Sequence, residues 1–128
     1  MNKLETSKDI IEHILLKLNN RDRFYRCVVN KIYGSIDNYS KLFSRYLTDK
    51  IEIEGEKEVT KYGEIYFSNE KLIYRIDDII ILFKTKDNLR SFDPNMIEMW
   101  ILTQLLNLGE GAINVEEIKI CKATNSTR

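Results

Sequence analysis

The sequence predicts a mainly α fold with a small β element, and three observations support this prediction. Apolar residues recur with helical spacing in two N-terminal segments, residues 10–18 and 39–47. The dipeptide Asp93-Pro94 is typical of a helix start, because aspartate is a good N-cap and proline loses no hydrogen bond at the first helical position. Segments that favour strands are short and lie between residues 51 and 86.

Residues 1–50 are predicted to form an N-terminal helical lobe with a basic face. Its first helix spans about residues 7–18, after a capping-box pattern at residues 6–9. A second helix, residues 23–33, is amphipathic, with apolar side chains on one arc of the helical wheel. The opposite arc carries Arg23, Arg26, Cys27, Asn30 and Lys31. The glycine at position 34 ends this helix, and a third helix with an apolar stripe follows.

Positive charge is concentrated in this lobe. Residues 17–50 carry eight Lys or Arg against three Asp, a local net charge of +5 in a chain whose formal net charge is zero. The neutral total argues against a protein that coats nucleic acid indiscriminately, because that mode requires a strongly basic surface to release counterions. The local excess is compatible with one defined contact to phosphate groups.

Residues 51–128 are predicted to form a C-terminal lobe with a mixed middle segment and a helix over residues 95–108. Residues 51–59 fit either a short strand or an extended linker. Residues 63–86 fit either a hairpin with a third strand or one helix capped by Ser68, and the isoleucines at 79–81 favour a strand there. The helix predicted over residues 95–108 is apolar nearly all round, which places it in the core or at an interface. One more short element is expected at residues 113–120.

Several functional classes receive no support from the sequence. The longest apolar run, residues 79–83, is far shorter than the roughly 20 residues of a membrane span. No signal peptide is recognisable, so a cytoplasmic location is expected. Cys27 and Cys121 lie far apart and suggest neither a zinc site nor a disulfide. Asp77-Asp78 is interpreted as a turn, and His13 as structural, because no metal or nucleophile partner is recognisable near it.

The spacing of Arg23, Phe24, Lys31, Gly34 and Phe43 resembles the C-terminal domain of the large subunit of archaeal and eukaryotic DNA primases. The helix start at residues 93–95 and the turn at 106–109 are similar to the same domain, and their order agrees. That domain normally holds a four-iron cluster on four cysteines, whereas this chain has two cysteines at other positions. The resemblance therefore implies the diverged, cluster-free form found in some archaea, a PriX-like third primase subunit, with a helical fold that lacks the iron–sulfur cluster.

The resemblance implies a non-catalytic subunit that binds the initiating nucleotide or the primer 5′-triphosphate and supports primer synthesis in DNA replication. The implied phosphate contacts are Arg23 and Lys31, and Arg26 and Asn30 extend the same face. Tyr25 and Tyr33 are candidates for stacking on a base. No catalytic residue, metal or cofactor is expected. The implied partners are the catalytic and large primase subunits, the template DNA or primer, and a nucleoside triphosphate.

Two alternatives stay open. In a winged-helix transcription regulator, residues 36–50 would be the recognition helix, with Lys41 and Arg45 at the DNA. Residues 51–67 would then form a wing closed by Thr60 and Gly63, although four glutamates between positions 52 and 58 would face phosphate. The other alternative is a protein-interaction adaptor that uses the helix at residues 95–108.

Overall fold

Helices and one sheet make up the part of the chain that the computed structural model describes, residues 3–21, 34, 36–68, 71–85, 89–106, 108 and 115–123. The helices are α1 (Lys3–Arg21), α2 (Ile36–Phe43) with a following 3-10 turn (Ser44–Tyr46), and α3 (Pro94–Leu106). The strands are β1 (Glu56–Val59), β2 (Glu64–Ser68), β3 (Lys71–Ile76), β4 (Ile79–Lys84) and β5 (Glu117–Lys122). All five form one antiparallel sheet in the order β1-β2-β3-β4-β5.

The sheet shows that the prediction of a mainly α, helical primase-like fold is wrong, because the described residues form a mixed α/β fold. Residues 63–86 form three strands, so the hairpin interpretation is confirmed and the single helix is wrong. The ambiguity has a physical cause. Strand β4 is buried on both faces and therefore lacks the polar alternation by which a half-buried strand is recognised.

One face of the sheet packs against the helices and forms the main hydrophobic core. The strands contribute large, fully buried side chains to it, among them Tyr74 and Phe83. α1 contributes a stripe at helical spacing, as its sequence predicted: Ile10, Ile11, Ile14 and Leu15. α2 and α3 add further members of the same cluster, including Phe43 and Ile101. Side chains from both predicted lobes therefore share this core.

The opposite face of the sheet, the outer face, is crossed by residues 47–55. At one edge of the sheet, Leu47 bridges Ile120 of β5, and the backbone N–H of Thr48 donates to the Ile120 carbonyl at 2.8 Å. Ile51 is buried in a second small cluster with three outer-face side chains, Ile73, Ile80 and Cys121. The segment then leads into β1 at the other edge. Residues 51–55 are thus an extended crossing segment, and the short strand begins only at Glu56.

The predicted start of α3 is confirmed, whereas the ends of α1 and α2 differ from the prediction, since α2 stops at Phe43 and its predicted stripe extended to residue 47. α3 starts at Pro94, and the Asp93 side chain accepts a hydrogen bond from the Asn95 N–H at 3.0 Å, which confirms the predicted N-cap. α1 is longer at both ends than the predicted residues 7–18. The short element expected at residues 113–120 is β5. Within the described residues, none of the helices combines the length and apolar character that crossing a bilayer demands.

Candidate anion-binding site

The residues predicted to contact phosphate or a base lie outside the described residues. These are Arg23, Tyr25, Arg26, Asn30, Lys31 and Tyr33. Their roles stay a prediction. Two further residues of the primase-like spacing are described: Gly34 lies in a turn before α2, and Phe43 is buried in the main core at the end of α2.

An open groove of about 380 Å³ lies at the end of the sheet where the β1–β2 and β3–β4 turns meet. Its lining is mostly polar and consists of Val59, Thr60, Lys61, Tyr62, Gly63, Glu64, Arg75 and Asp77. Two of these side chains are cations and two are carboxylates. A groove of this kind suits a polar ligand that carries both hydrogen-bond donors and negative charge.

The β1–β2 turn at the groove is held by its own hydrogen bonds. The backbone N–H of Thr60 donates to the Gly63 carbonyl at 2.9 Å, and the Gly63 N–H donates to the Thr60 hydroxyl at 2.9 Å. Gly63 also lies against β3, since a β-carbon at this position would be 2.1 Å from the Arg75 carbonyl oxygen. Only glycine fits this close approach.

The same turn is fixed to α3 by Glu98, whose side chain is 2% exposed. One carboxyl oxygen accepts hydrogen bonds from the Thr60 hydroxyl at 2.5 Å, the Tyr74 hydroxyl at 2.7 Å and the Tyr62 N–H at 3.1 Å. Such a buried carboxyl group is tolerated because its oxygens have partners. These hydrogen bonds hold the β1–β2 turn, which forms one wall of the groove, against α3.

Asn95 adds a contact between the turn and α3. Its side-chain oxygen accepts a hydrogen bond from the Lys61 N–H at 2.9 Å. The Lys61 ammonium lies 5.4 Å from the centre of the Tyr62 ring, within the range of a cation–π contact. The backbone of the turn is therefore fixed while the Lys61 side chain stays exposed beside the groove.

The β3–β4 turn is tied to α1 through Asp77. One Asp77 carboxylate oxygen accepts a hydrogen bond from the Lys17 ammonium at 2.7 Å and lies 2.6 Å from His13 Nε2. The Lys17 hydrogen bond, followed by that of His13, holds the pKa of Asp77 below its ordinary value of 3.8. Asp77 and Asp78 form the turn, as predicted, and His13 has a partner that sequence reasoning did not find.

We expect Asp77→Asn to lower the free energy of unfolding at pH 7 by up to about 1 kcal/mol, since all three side chains are partly exposed and screened. Asparagine tolerates the positive φ of 56° at this position, so the backbone is preserved. A lowered pKa in the folded state stabilises the fold above the ordinary value of 3.8. This contribution is lost as the pH falls through the folded pKa.

Urea unfolding of Asp77→Asn and the wild type at a series of pH values checks this expectation. Asp78→Asn is the matched control, because Asp78 occupies the same turn. The difference between Asp77→Asn and the wild type should shrink as the pH is lowered below 3.8. A difference that stays constant down to the acid transition would contradict an ionic role for Asp77.

A second acidic residue of the groove, Glu64, is also balanced by its neighbours. Its carboxylate accepts a hydrogen bond from the Tyr66 hydroxyl at 2.8 Å and lies 3.2 Å from the Lys57 ammonium. These contacts, that of Tyr66 first, hold the pKa of Glu64 below its ordinary value. Of the charged side chains that line the groove, the cations Lys61 and Arg75 balance the anions Glu64 and Asp77. Lys17 and Lys57 lie outside the lining and pair with Asp77 and Glu64.

The described part of the groove has the chemistry of a binding site. Its cations suit phosphate oxygens, and its carboxylates can accept hydrogen bonds from hydroxyl or amino groups. The described residues contain no group of three or more His, Cys, Asp or Glu side chains placed to hold a metal ion. Comparison of the chain with protein-family models, with curated proteins and with solved structures finds no match.

Sequence reasoning missed Glu98, although a signal was present. It is the only charged residue of α3, a helix otherwise made of apolar and uncharged polar residues. A lone acid in such a helix indicates either a surface position or a buried carboxyl group with partners. Its partners Thr60 and Tyr74 lie 38 and 24 residues away in the chain, so no local pattern could identify them.

Proposed function

We propose that this chain is a non-catalytic protein that binds the phosphate groups of nucleotides or nucleic acid. The observation that carries the proposal is the place of Lys17 near the end of α1. Its ammonium lies 2.7 Å from Asp77 at the groove, and α1 ends at Arg21, four residues further along the chain. The segment with Arg23, Arg26 and Lys31 follows directly in the chain.

Within this class, we propose a subunit of a DNA primase that binds the initiating nucleotide or the primer 5′-triphosphate and supports primer synthesis. The support is the spacing of Arg23, Phe24, Lys31, Gly34 and Phe43. Arginine forks and a lysine ammonium match a polyphosphate, because they supply several charge-assisted hydrogen bonds. The catalytic and large subunits would supply the bond-making step. The five-stranded sheet adds no support to the primase assignment, which depends on the sequence spacing.

The proposal is tested by the binding of two fluorescent single-stranded oligonucleotides that differ only in a 5′-triphosphate or a 5′-hydroxyl. We expect the wild type to bind the triphosphate form more tightly, with a preference that fades at high salt. The double variant Arg23→Ala/Lys31→Ala should lose this preference, with an affinity at least about tenfold lower, because each charge-assisted bond is worth roughly 1.5–3 kcal/mol.

The matched control is Lys41→Ala/Arg45→Ala, which removes the same charge from exposed positions of α2 and the turn that follows it. This variant should keep the triphosphate preference, and a reconstituted primase containing it should initiate normally. Equal binding of both oligonucleotides by the wild type would overturn the proposal. Loss of duplex binding only in the Lys41 and Arg45 variant would favour the winged-helix alternative instead.

The geometry of the β1–β2 turn gives that alternative no added support. Thr60 and Gly63 close the turn through a hydrogen bond, as the wing of a winged-helix protein requires. The turn is, however, fixed against α3 by Glu98. The recognition helix proposed over residues 36–50 would have to include a 3-10 turn and an extended segment, because α2 ends at Phe43.

A further inference from the structure

We infer that the groove at the end of the sheet is a binding site for a single nucleotide, with Arg75 and Lys61 as its phosphate contacts. This inference rests on the proposed function, since it names a second contact for the same class of ligand. It concerns different residues, however, and it assigns the groove a ligand that includes the base and sugar.

The size of the groove fits one nucleotide. Its volume of about 380 Å³ lies at the lower end of the range for small-molecule sites, roughly 300–1,000 Å³. Its walls come from two turns and the adjoining strand ends, so it is short as well as small. An extended peptide or a duplex would reach well beyond it.

The cations at the groove are placed to meet phosphate oxygens. The Nε–H of Arg75 donates to the Asp77 carbonyl at 2.9 Å, which positions the guanidinium at the groove wall. A guanidinium carries five N–H donors, of which this bond uses one, and the Arg75 side chain also hydrogen-bonds to Tyr66. Lys61 is exposed at the opposite wall, on a backbone held by Asn95. An anion between the two turns therefore meets cations from both sides.

The carboxylates explain why the ligand is a nucleotide rather than bare phosphate. Glu64 and Asp77 line the groove, and both carboxylates are ionised at neutral pH, as the ordinary pKa values of Glu and Asp require. They would repel an inorganic polyphosphate that approached closely. Ribose hydroxyl and base amino groups, in contrast, can donate hydrogen bonds to them. The half-buried ring of Tyr62 lies at the same wall, and a base can stack on the part of the ring that the Lys61 ammonium does not cover.

The groove is also preorganised. The hydrogen bonds of Glu98 and Asn95 hold the β1–β2 turn to α3, and the contacts of Lys17 and His13 hold the β3–β4 turn to α1. A ligand therefore binds without the entropy cost of ordering the backbone of the two turns. The hydrogen bonds of Glu98 and Asn95 do not involve the side chain of Lys61, so that side chain can be varied while these bonds are kept.

The test is isothermal titration of the full chain with ATP, CTP and inorganic tripolyphosphate. The variants are Arg75→Gln and Lys61→Gln. The matched control is Lys71→Gln, because Lys71 lies on the same strand and the same face as Arg75, about 13 Å away along β3. We expect the wild type to bind the nucleotides more tightly than tripolyphosphate. Both groove variants should bind ATP at least about tenfold more weakly, and the control should stay within about twofold.

Thermal unfolding of each variant shows whether it is folded. If Arg75→Gln is unstable, Lys61→Gln carries the test, since the bond from its backbone N–H to Asn95 is kept. The inference is overturned if the wild type does not bind ATP, if tripolyphosphate binds as tightly as ATP, or if Lys61→Gln binds ATP as well as Lys71→Gln does.

Failure of this inference is distinguishable from failure of the proposed function. If the groove variants bind ATP like the wild type while Arg23→Ala/Lys31→Ala loses the triphosphate preference, the groove inference fails and the proposed function stands. If the groove variants lose affinity for ATP and Arg23→Ala/Lys31→Ala keeps the preference for the 5′-triphosphate, the groove is a nucleotide site. The role assigned to residues 23–31 is then wrong.

Discussion

Replacing Glu98 with leucine is expected to lower the free energy of unfolding by roughly 3–5 kcal/mol. The glutamate side chain is 2% exposed, and its oxygens accept hydrogen bonds from Thr60, Tyr62 and Tyr74. Leucine has a similar volume but accepts no hydrogen bond, so these donors would be buried without a partner. Each such donor costs roughly 1–3 kcal/mol. The melting temperature should therefore fall by about 10 °C or more.

Thermal and urea unfolding measure this loss, and the single tryptophan, Trp100, supplies a fluorescence signal. It packs edge-on against Phe83 in the core, with ring centres 5.7 Å apart. The matched control is Glu58→Leu, which makes the same change at an exposed position of β1 and should leave stability nearly unchanged. If Glu98→Leu and Glu58→Leu unfold alike, Glu98 does not hold the turn in solution.

Replacing Gly55 with alanine is expected to cost about 3 kcal/mol or more. Gly55 has a φ of +104°, a conformation that residues with a β-carbon rarely adopt. An added β-carbon would also lie 1.9 Å from the Phe67 carbonyl oxygen, which belongs to the backbone of β2 and cannot rotate away. The crossing segment would have to move away from the sheet at the point where β1 begins.

Urea unfolding of Gly55→Ala, beside Glu54→Ala as control, checks this expectation. Glu54 is the preceding residue and its side chain is exposed, so removing the side chain should change the stability by less than about 0.5 kcal/mol. Hydrogen exchange adds a local measurement: protection should fall at β1 and β2 before it falls at β4. Full stability of Gly55→Ala would mean that the crossing segment adopts another conformation in solution.

Parts of this fold were predictable because local chemistry determines them. Asp93 and Pro94 define the start of α3 by capping and by the fixed φ of proline, and both act within one helical turn. The stripe of α1 was recognisable because one face is buried and the other solvated. The sheet was underestimated because β4 is covered on both faces, by the helices on one side and by Ile51 on the other. Its isoleucines therefore fit either a strand or a helix.

The site was harder to predict than the fold because its groups meet only through tertiary contacts. His13 and Lys17 share a helix face, but their partner Asp77 lies 64 and 60 residues ahead of them in the chain. Sequence reasoning interpreted Asp77-Asp78 correctly as a turn, yet the ion pair depends on where that turn meets α1. The excess of positive charge in residues 17–50 predicted a phosphate contact in that segment. Arg75 and Lys61, in contrast, belong to a region of the sequence without any local excess of positive charge.

The order of the strands has a consequence for how the chain folds. β1 to β4 pair as successive hairpins, so each pairing closes only a short loop. β5 pairs with β4 only after the intervening segment with α3 is closed, and the partners Lys84 and Glu117 are 33 residues apart. Closing this longer loop costs more entropy before its contacts form. We therefore expect the first four strands to form early and β5 to join them last, which completes the edge where the crossing segment begins.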